Sequence, residues 1–274
     1  MTIQSISHAE ANRRCDAVKH AVTPLPRETV EAAVQLLQHP DPTIRDDLAY
    51  VTVRDAVLAG TLDGHAQWLV EHLTGTEGMR YDPPEIRSVP AGVVRSFAVL
   101  GLVLVVHRAR RHSAVSIDLE SVLQTTTALL DGDQDLTSWD PRYGWVHLVA
   151  HAADLVDELF EVGLEAPSAD ALTRGLVGLV LRKSDCLFAF GEYERVAFAL
   201  ATGLMGGVLS LDAVAAALNA EEAAAAEFAD LPGSAVRTNH VRALARALYW
   251  QLVARDADAA IVEGVRRVNL ALIR

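Results

Sequence analysis

The stretch from Asp41 to Gly60, DPTIRDDLAYVTVRDAVLAG, reads as a helix with both of its ends written into the sequence. Asp41 is placed to cap the N-terminus and Pro42 suits the first turn. Ile44, Leu48, Val51 and Leu58 make the apolar face, and Gly60 supplies the C-terminal stop. Upstream, Pro24 and Pro26 reset the chain after a short N-terminal helix, and Val30, Val34 and Leu37 form a stripe that stops at His39-Pro40. Downstream, a shorter amphipathic helix covers Gln67 to Leu73. Thr74 to Pro90, with Gly75, Gly78, Pro83, Pro84 and Pro90, has no periodicity and reads as a long surface loop.

The same helical punctuation recurs to the C-terminus. Helices are expected near Ala91 to Arg111, Asp118 to Leu130, Tyr143 to Val162, Ala169 to Lys183, Glu192 to Met205 and Leu211 to Leu218, with two more beyond Leu231-Pro232-Gly233. Alternating strand patterns bounded by Asn-Gly or Asp-Gly hairpin signals do not appear. The fold class is therefore all-α. Short loops favour antiparallel neighbours stacked as an irregular αα-superhelix of the HEAT or armadillo kind, with a helical bundle as the alternative. Three segments follow: an N-terminal helix and linker over 1–26, a helical domain over 27–219, and a C-terminal helical extension over 220–274. The alanine-rich run Ala213 to Ala229 marks the last division.

Composition narrows the classes of function. The 274 residues carry 24 Lys and Arg against 36 Asp and Glu, a net charge of −12, with 51% hydrophobic and 22% charged residues. That is ample material for a core and excludes a disordered chain. An acidic chain lacks the basic face that nucleic-acid binding needs. The dense basic cluster, Arg108, Arg110 and Arg111 with His107 and His112, reads as a helix C-terminus. The apolar run Phe97 to Val106 and the uncharged run Val196 to Leu211 both fall short of the roughly 20 residues of a membrane span and read as core helices. Cys15 and Cys186 supply neither a disulfide framework nor a metal clip. The N-terminus lacks an apolar signal region, so a cytoplasmic protein is expected, without nucleic-acid or membrane partners.

The most informative helix is the one expected from Tyr143. At 3.6 residues per turn, His147, His151, Asp154 and Glu158 fall within one stripe about 60° wide, away from the apolar face. The plain reading is a solvated polar face. The sharper one is a catalytic or metal site, since histidines at i and i+4 present two imidazoles to one cation and Asp154 adds an oxygen one turn on. Leu148 stands where a zincin motif has its glutamate, which removes that protease mechanism. Asp131-Gly132-Asp133-Gln134-Asp135 opens like a calcium loop, but Leu136 and Arg142 replace its glycine and its bidentate glutamate. Asp46-Asp47 is followed at the fifth position by Tyr50, so it is no magnesium motif, and ionic pairing with arginines is its expected role.

Arg95 precedes the apolar run and needs a partner. Asp46, Asp47 or Glu194 would serve, or Arg95 would clamp an anionic ligand. Glu192, Glu194 and Arg195 open a further helix, whose N-terminus suits the acids. A nucleophile elbow, a P-loop and a dinucleotide fingerprint are all absent from the sequence.

Four segments resemble an uncharacterised bacterial family, domain of unknown function twenty-seven eighty-five. They are Asp41 to Tyr50, Arg95-Ser96-Phe97, Gly144-Trp145-Val146-His147 to Asp154, and Glu192-Tyr193-Glu194-Arg195, and the resemblance spans Arg27 to Leu218. It implies an all-helical fold and a shared pocket at Asp46, Asp47, Arg95, His147, His151, Asp154 and Glu194. Arg142-Tyr143-Gly144 stands where the family has Gly-Lys-Gly, and Tyr193 departs from a Glu-Asp-Glu-Arg run, so the pocket rim is expected to differ.

The function expected is that of a small-molecule-binding protein with a polar cleft, and of an enzyme if its histidines do hydrolase or lyase chemistry. His147, His151 and Asp154 are the acid/base groups or the ligands of a divalent metal. Asp46, Asp47, Tyr50, Arg95, Trp145 and Glu194 line the ligand site. The alternatives are a helical-repeat module that binds a protein partner, and a polar network that only fixes the packing.

Overall fold

The computed structural model describes residues 5–20, 24–82, 89–182, 185, 187–226 and 232–272. Cys186, Pro83, Pro84, Lys183 and Leu231 lie outside the described residues. The protein is all-α. Its α-helices are α1 (His8–Lys19), α2 (Arg27–Val34), α3 (Val51–Leu58), α4 (Ala66–Thr74), α5 (Ala91–Arg111), α6 (Leu119–Gly132), α7 (Leu148–Val162), α8 (Ala166–Arg182), α9 (Glu192–Met205), α10 (Leu211–Ala226), α11 (Pro232–Ala254) and α12 (Ala259–Leu272). Helix α10 runs beyond the Leu218 end expected for it, because the alanines that follow are the strongest helix formers. The chain divides into two compact units, Met1–Thr125 with Thr137–His151, and Thr126–Leu136 with Ala152–Arg274.

In the first unit α5 packs against α3 and α4, and α1 against α2. By length and composition α5 could cross a membrane, yet 67% of its apolar window is buried inside the protein. Gly101 on α5 permits close approach, since a Cβ there would lie 3.0 Å from Leu73 of α4. At its C-terminal end Arg108 grips Asp63 with Nε and Nη2 at 2.9 and 2.8 Å, so one cation of the basic cluster ties α5 to the turn before α4.

The Asp41–Gly60 stretch is helical with both predicted ends. Asp41 Oδ1 accepts from the Thr43 N–H at 2.9 Å. Gly60, at φ +81°, closes α3: its N–H donates to Val57 O, and the Thr61 N–H donates to Ala56 O. Between these ends, however, Thr43–Tyr50 winds as a π-helix, and α geometry begins only at α3. Each π residue turns the chain by less than an α residue, so the buried face drifts off the predicted stripe. The residues that turn inward are Ile44, Arg45, Ala49, Thr52, Val53, Ala56 and Val57, whereas Leu58 is 46% exposed.

Two further expectations are corrected. The described part of the surface loop after Thr74 folds back on α4: Met79 is buried and its N–H donates to Leu73 O at 2.8 Å. Gly78 makes this possible, because a Cβ there would lie 2.1 Å from Leu73 O. The helix expected from Tyr143 begins only at Leu148. Before it stands a short antiparallel hairpin, β1 (Trp139–Asp140) and β2 (Gly144–Trp145), with Trp139 opposite Trp145 and Asp140 opposite Gly144. Asp140 Oδ1 accepts from the N–H groups of Arg142 (2.7 Å) and Tyr143 (3.2 Å), and Gly144 turns the chain at φ +71°. A three-residue loop closed by a left-handed glycine is a hairpin signal distinct from Asn-Gly.

In the second unit α9 packs against α8 and α11, α10 against α8 and α11, and α12 against α10 and α11. Leu155, Leu159, Phe160, Leu176, Leu200 and Leu248 fill its core. Arg182 at the end of α8 donates to the carbonyls of Leu130, Asp131 and Asp133, and so satisfies acceptors at the C-terminal end of α6.

Burial makes stability pH-dependent in the first unit. His39 is buried and its Nδ1 accepts the Asp41 N–H at 3.1 Å, while His72 stacks on Trp68; burial pushes both imidazoles below their ordinary 6.5. The folded state thus prefers neutral rings. Their contribution is complete above pH 6.5 and is lost as the pH falls from there through the lower folded values. Thermal unfolding followed by circular dichroism should show the melting temperature falling over this range, and His39→Gln should flatten the fall. An equally steep fall in the variant would assign it elsewhere.

Candidate functional site

Arg45 organises the first unit's polar cluster, although the sequence reading passed it over in favour of its neighbours. Its side chain is fully buried, and its guanidinium lies 4.5 Å from the centre of the Phe97 ring. Nε donates to Asp46 Oδ1 at 2.7 Å, Nη1 to His39 O at 3.3 Å, and Nη2 to Tyr143 O at 2.6 Å and Trp145 O at 3.3 Å. Both carbonyls taken by Nη2 belong to the hairpin region. Gly144 suits the contact, since it holds φ +71° and a Cβ there would lie 3.1 Å from Pro42. Burial pushes the Arg45 guanidinium below its usual range and the Asp46 carboxyl above its own, so desolvation outweighs the attraction between them.

Beyond the hairpin the N–H groups of Val146 and His147 both donate to Ser138 O, at 2.9 and 3.1 Å. His147 then adopts φ +53°, a left-handed conformation uncommon outside glycine, and its carbonyl receives the His151 N–H at 2.9 Å. His147 thus precedes the helix rather than sitting on its wheel. The ring of His147 stacks on Trp145 with centroids 4.4 Å apart and planes 12° from parallel, and it lies 6.0 Å from the ring of His151. Trp145 and its cross-strand partner Trp139 are 42% and 47% exposed.

His151 is only 9% exposed, not part of a solvated face. Its Nδ1 lies 2.8 Å from Ser96 Oγ, and its ring makes a T-shaped contact with Phe97. The Ser96 hydroxyl also donates to Val146 O.

The structure brings Trp145, His147 and His151 together in the first unit, along with Arg45 and Asp46. Asp47 is exposed on the π-helix and Tyr50 half-buried at its end. Arg95 is half-buried and donates to Tyr81 O at 3.0 Å, and the arginine that holds Asp46 is Arg45. Asp154 belongs to the second unit, where Arg195 Nη1 reaches both of its oxygens. Among the described residues no three His, Cys, Asp or Glu gather to hold a metal. Among the described residues of the first unit, the imidazoles of His147 and His151 stand near each other, with ring centroids 6.0 Å apart.

Glu194 is exposed, whereas Glu192 beside it is fully buried and accepts the Phe190 N–H at 3.0 Å. Tyr193, the departure from the family pattern, has its hydroxyl 2.7 Å from Nδ1 of the buried His240 and accepts the Phe188 N–H at 3.2 Å. His240 lies on α11 and carries no local motif. Arg45 carries a signal, as a charge between Ile44 and Leu48, and Ser96 lies between Arg95 and Phe97 with no motif of its own.

The family model described as protein of unknown function (DUF2785) matches residues 90–250. The matched range includes Arg95, Trp145, His147, His151, Asp154 and Glu194 and begins after Asp46, Asp47 and Tyr50. No curated protein and no solved structure matches the chain.

Proposed function

The chain belongs to the family of proteins of unknown function DUF2785, and from that premise we propose that it binds a small molecule on the Trp145–His147 face of the first unit. The observation that carries this reading is the construction beneath an exposed indole. A buried arginine holds the carbonyl of Trp145, and His147 stacks behind its ring from a left-handed backbone position. Backbone outliers held by over-determined surroundings cluster at ligand sites, and exposed tryptophans in fixed positions are frequent anchors of binding energy. Trp139 across the ladder enlarges the aromatic face, and Arg142, exposed in the hairpin loop, offers a cation for an anionic substituent.

A second reading, a module for a protein partner, is favoured by the second unit. Phe198 and Met205 on α9 and Trp250 and Val253 on α11 are exposed apolar residues on two helices that pack together.

Ligand-observed NMR with a fragment library of aromatic, sugar, carboxylate and phosphate compounds separates the readings. Fragments that bind the wild type should lose about 30-fold or more in affinity against Trp145→Ala, as for truncation of an anchor, with the melting temperature unchanged. Fragment binding indifferent to Trp145 would overturn the proposal, and loss on Trp250→Ala instead would favour the second reading.

A further inference from the structure

Helix α11 carries an outward face that its described neighbours leave exposed. Leu244, Leu248 and Leu252 form its buried side. Arg255, just past its end, turns to α9, where Nη1 donates to Phe198 O at 3.2 Å and to Thr202 Oγ1 at 3.0 Å. Arg242 turns to α12, where Nε donates to Leu272 O at 2.8 Å. At 100° per residue, Ala243, Arg246, Ala247, Val253 and Ala254 all fall within about 60° of Trp250, on the side opposite the leucines. Trp250 is 65% exposed at the centre of this face and Val253 38%, and a T-shaped contact with Tyr249 orients the indole.

Two charges flank the apolar centre. Arg246 lies one turn before Trp250, and Asp256 stands just past the helix end. Both are exposed, and neither makes an ion pair among the described residues. Asp256 is in an unfavourable place twice over. The Ala257 N–H donates to Leu252 O at 3.0 Å and the Asp256 N–H to Val253 O at 3.3 Å, a closure that holds Asp256 at φ +52°, where glycine or asparagine is usual. Its carboxylate also stands at the negative end of the α11 dipole. A cation paired with it would offset that second cost, and none of the described residues pairs with it.

We infer that two copies of the chain associate through this face, α11 against α11, antiparallel about a two-fold axis level with Gln251. Position 251 is midway between 246 and 256, so the axis sets Arg246 of each copy opposite Asp256 of the other, two ion pairs from one symmetry. At 1.5 Å per residue each charge lies about 7–8 Å along the helix from the axis. Between them the two indoles meet each other and the Val253 side chains, and Ala247 and Ala254 let the helices approach. A parallel pairing would set Arg246 against Arg246. An unrelated partner has no need of opposite charges spaced evenly about an indole, and this self-complementarity selects a second copy. The inference does not draw on the Trp145–His147 face; it rests on the second-unit reading and names its partner.

A contact on one helix face is small among specific interfaces, so the dimer should form with a Kd of about 1–100 μM. Sedimentation velocity on the full chain across that range should show the wild type passing from the mass of one chain to that of two. Trp250→Ala should weaken association about 30-fold or more, because the two-fold axis repeats the loss. Arg246→Glu sets acid against acid and Asp256→Lys sets cation against cation, so each variant alone should stay monomeric while its circular dichroism remains that of a folded protein. Mixed in equal amounts, the new glutamate of one faces the new lysine of the other and the remaining arginine faces the remaining aspartate, so the mixture should associate as the wild type does. A mixture no more associated than its components would overturn the pairing. A wild type still monomeric at about 100 μM overturns the second copy as partner and leaves the second-unit reading to its own fragment test. Association that ignores Trp250→Ala overturns the face, and fragment binding indifferent to Trp250 leaves the dimer standing.

Discussion

Arg45→Met should destabilise the first unit by about 3–5 kcal/mol, the usual cost of removing one partner from a buried ion pair. The side chain is fully buried, and its loss strips donors from the carbonyls of His39, Tyr143 and Trp145 as well as from Asp46. The Asp46 side chain remains 23% exposed and regains some water, which places the expectation toward the lower end. Arg45→Lys keeps the charge but lacks the planar fork that reaches several acceptors, so it should still lose more than about 1 kcal/mol. Because burial outweighs attraction for both members of the pair, Arg45→Met with Asp46→Asn should recover part of the loss. Urea denaturation followed by fluorescence measures each value. An Arg45→Met variant within about 0.5 kcal/mol of wild type, the range of ordinary surface substitutions, would contradict the role given to this residue.

Phe97→Ala should cost a similar amount, about 3–5 kcal/mol, since the ring is buried and its removal opens a cavity beside the N-terminal third of α5. The ring also touches two polar groups, with the Arg45 guanidinium over its face and the His151 ring in T-shaped contact with it. Phe97→Leu keeps most of the volume and should cost about 1–1.5 kcal/mol, the part left being shape and the lost π-face. A double-mutant cycle between Phe97→Leu and Arg45→Met isolates the cation–π term, for which a coupling of about 0.5–2 kcal/mol is expected. Additivity of the two would show that Phe97 contributes only volume.

Much of the helical organisation was legible in the residues themselves. The bounds expected for Ala91 to Arg111 and Glu192 to Met205 are those of α5 and α9, because punctuation and periodicity there agree. The π-helix was not legible, since apolar spacing is read on α geometry and one shifted turn reassigns every later residue to another face. The hairpin was missed because its signal lies in Asp140-Pro141 and Gly144, a three-residue loop, while Trp145 beside it reads equally well as the start of a helix. Tyr143 and Trp145 should have a reason to be where they are, and that reason is Arg45, 98 and 100 residues away in sequence. Local pattern carries no trace of such a partner.

The site divides in the same way. Spacing singles out His151, and its neighbourhood comes from contacts. Ser96 was adjacent to Arg95 and within a family segment, but its role depends on Val146 and His151, which only the fold brings to it. Asp154 shares the helix with His151 and looked like a third ligand by helical phase. Arg195 engages it in the second unit, an ion pair between residues 41 apart that no periodicity predicts.

Binding of a ligand at the proposed Trp145–His147 face is directly measurable through the four tryptophans. Trp68, Trp139, Trp145 and Trp250 each give one indole N–H signal, assignable by single Trp→Phe variants. Titrating the labelled wild-type protein with the tightest fragment from the screen should shift the signals of Trp145 and Trp139 and leave Trp68 and Trp250 in place. A fragment that shifts Trp250 while Trp145 and Trp139 stay fixed would contradict the account and move the binding surface to the second unit.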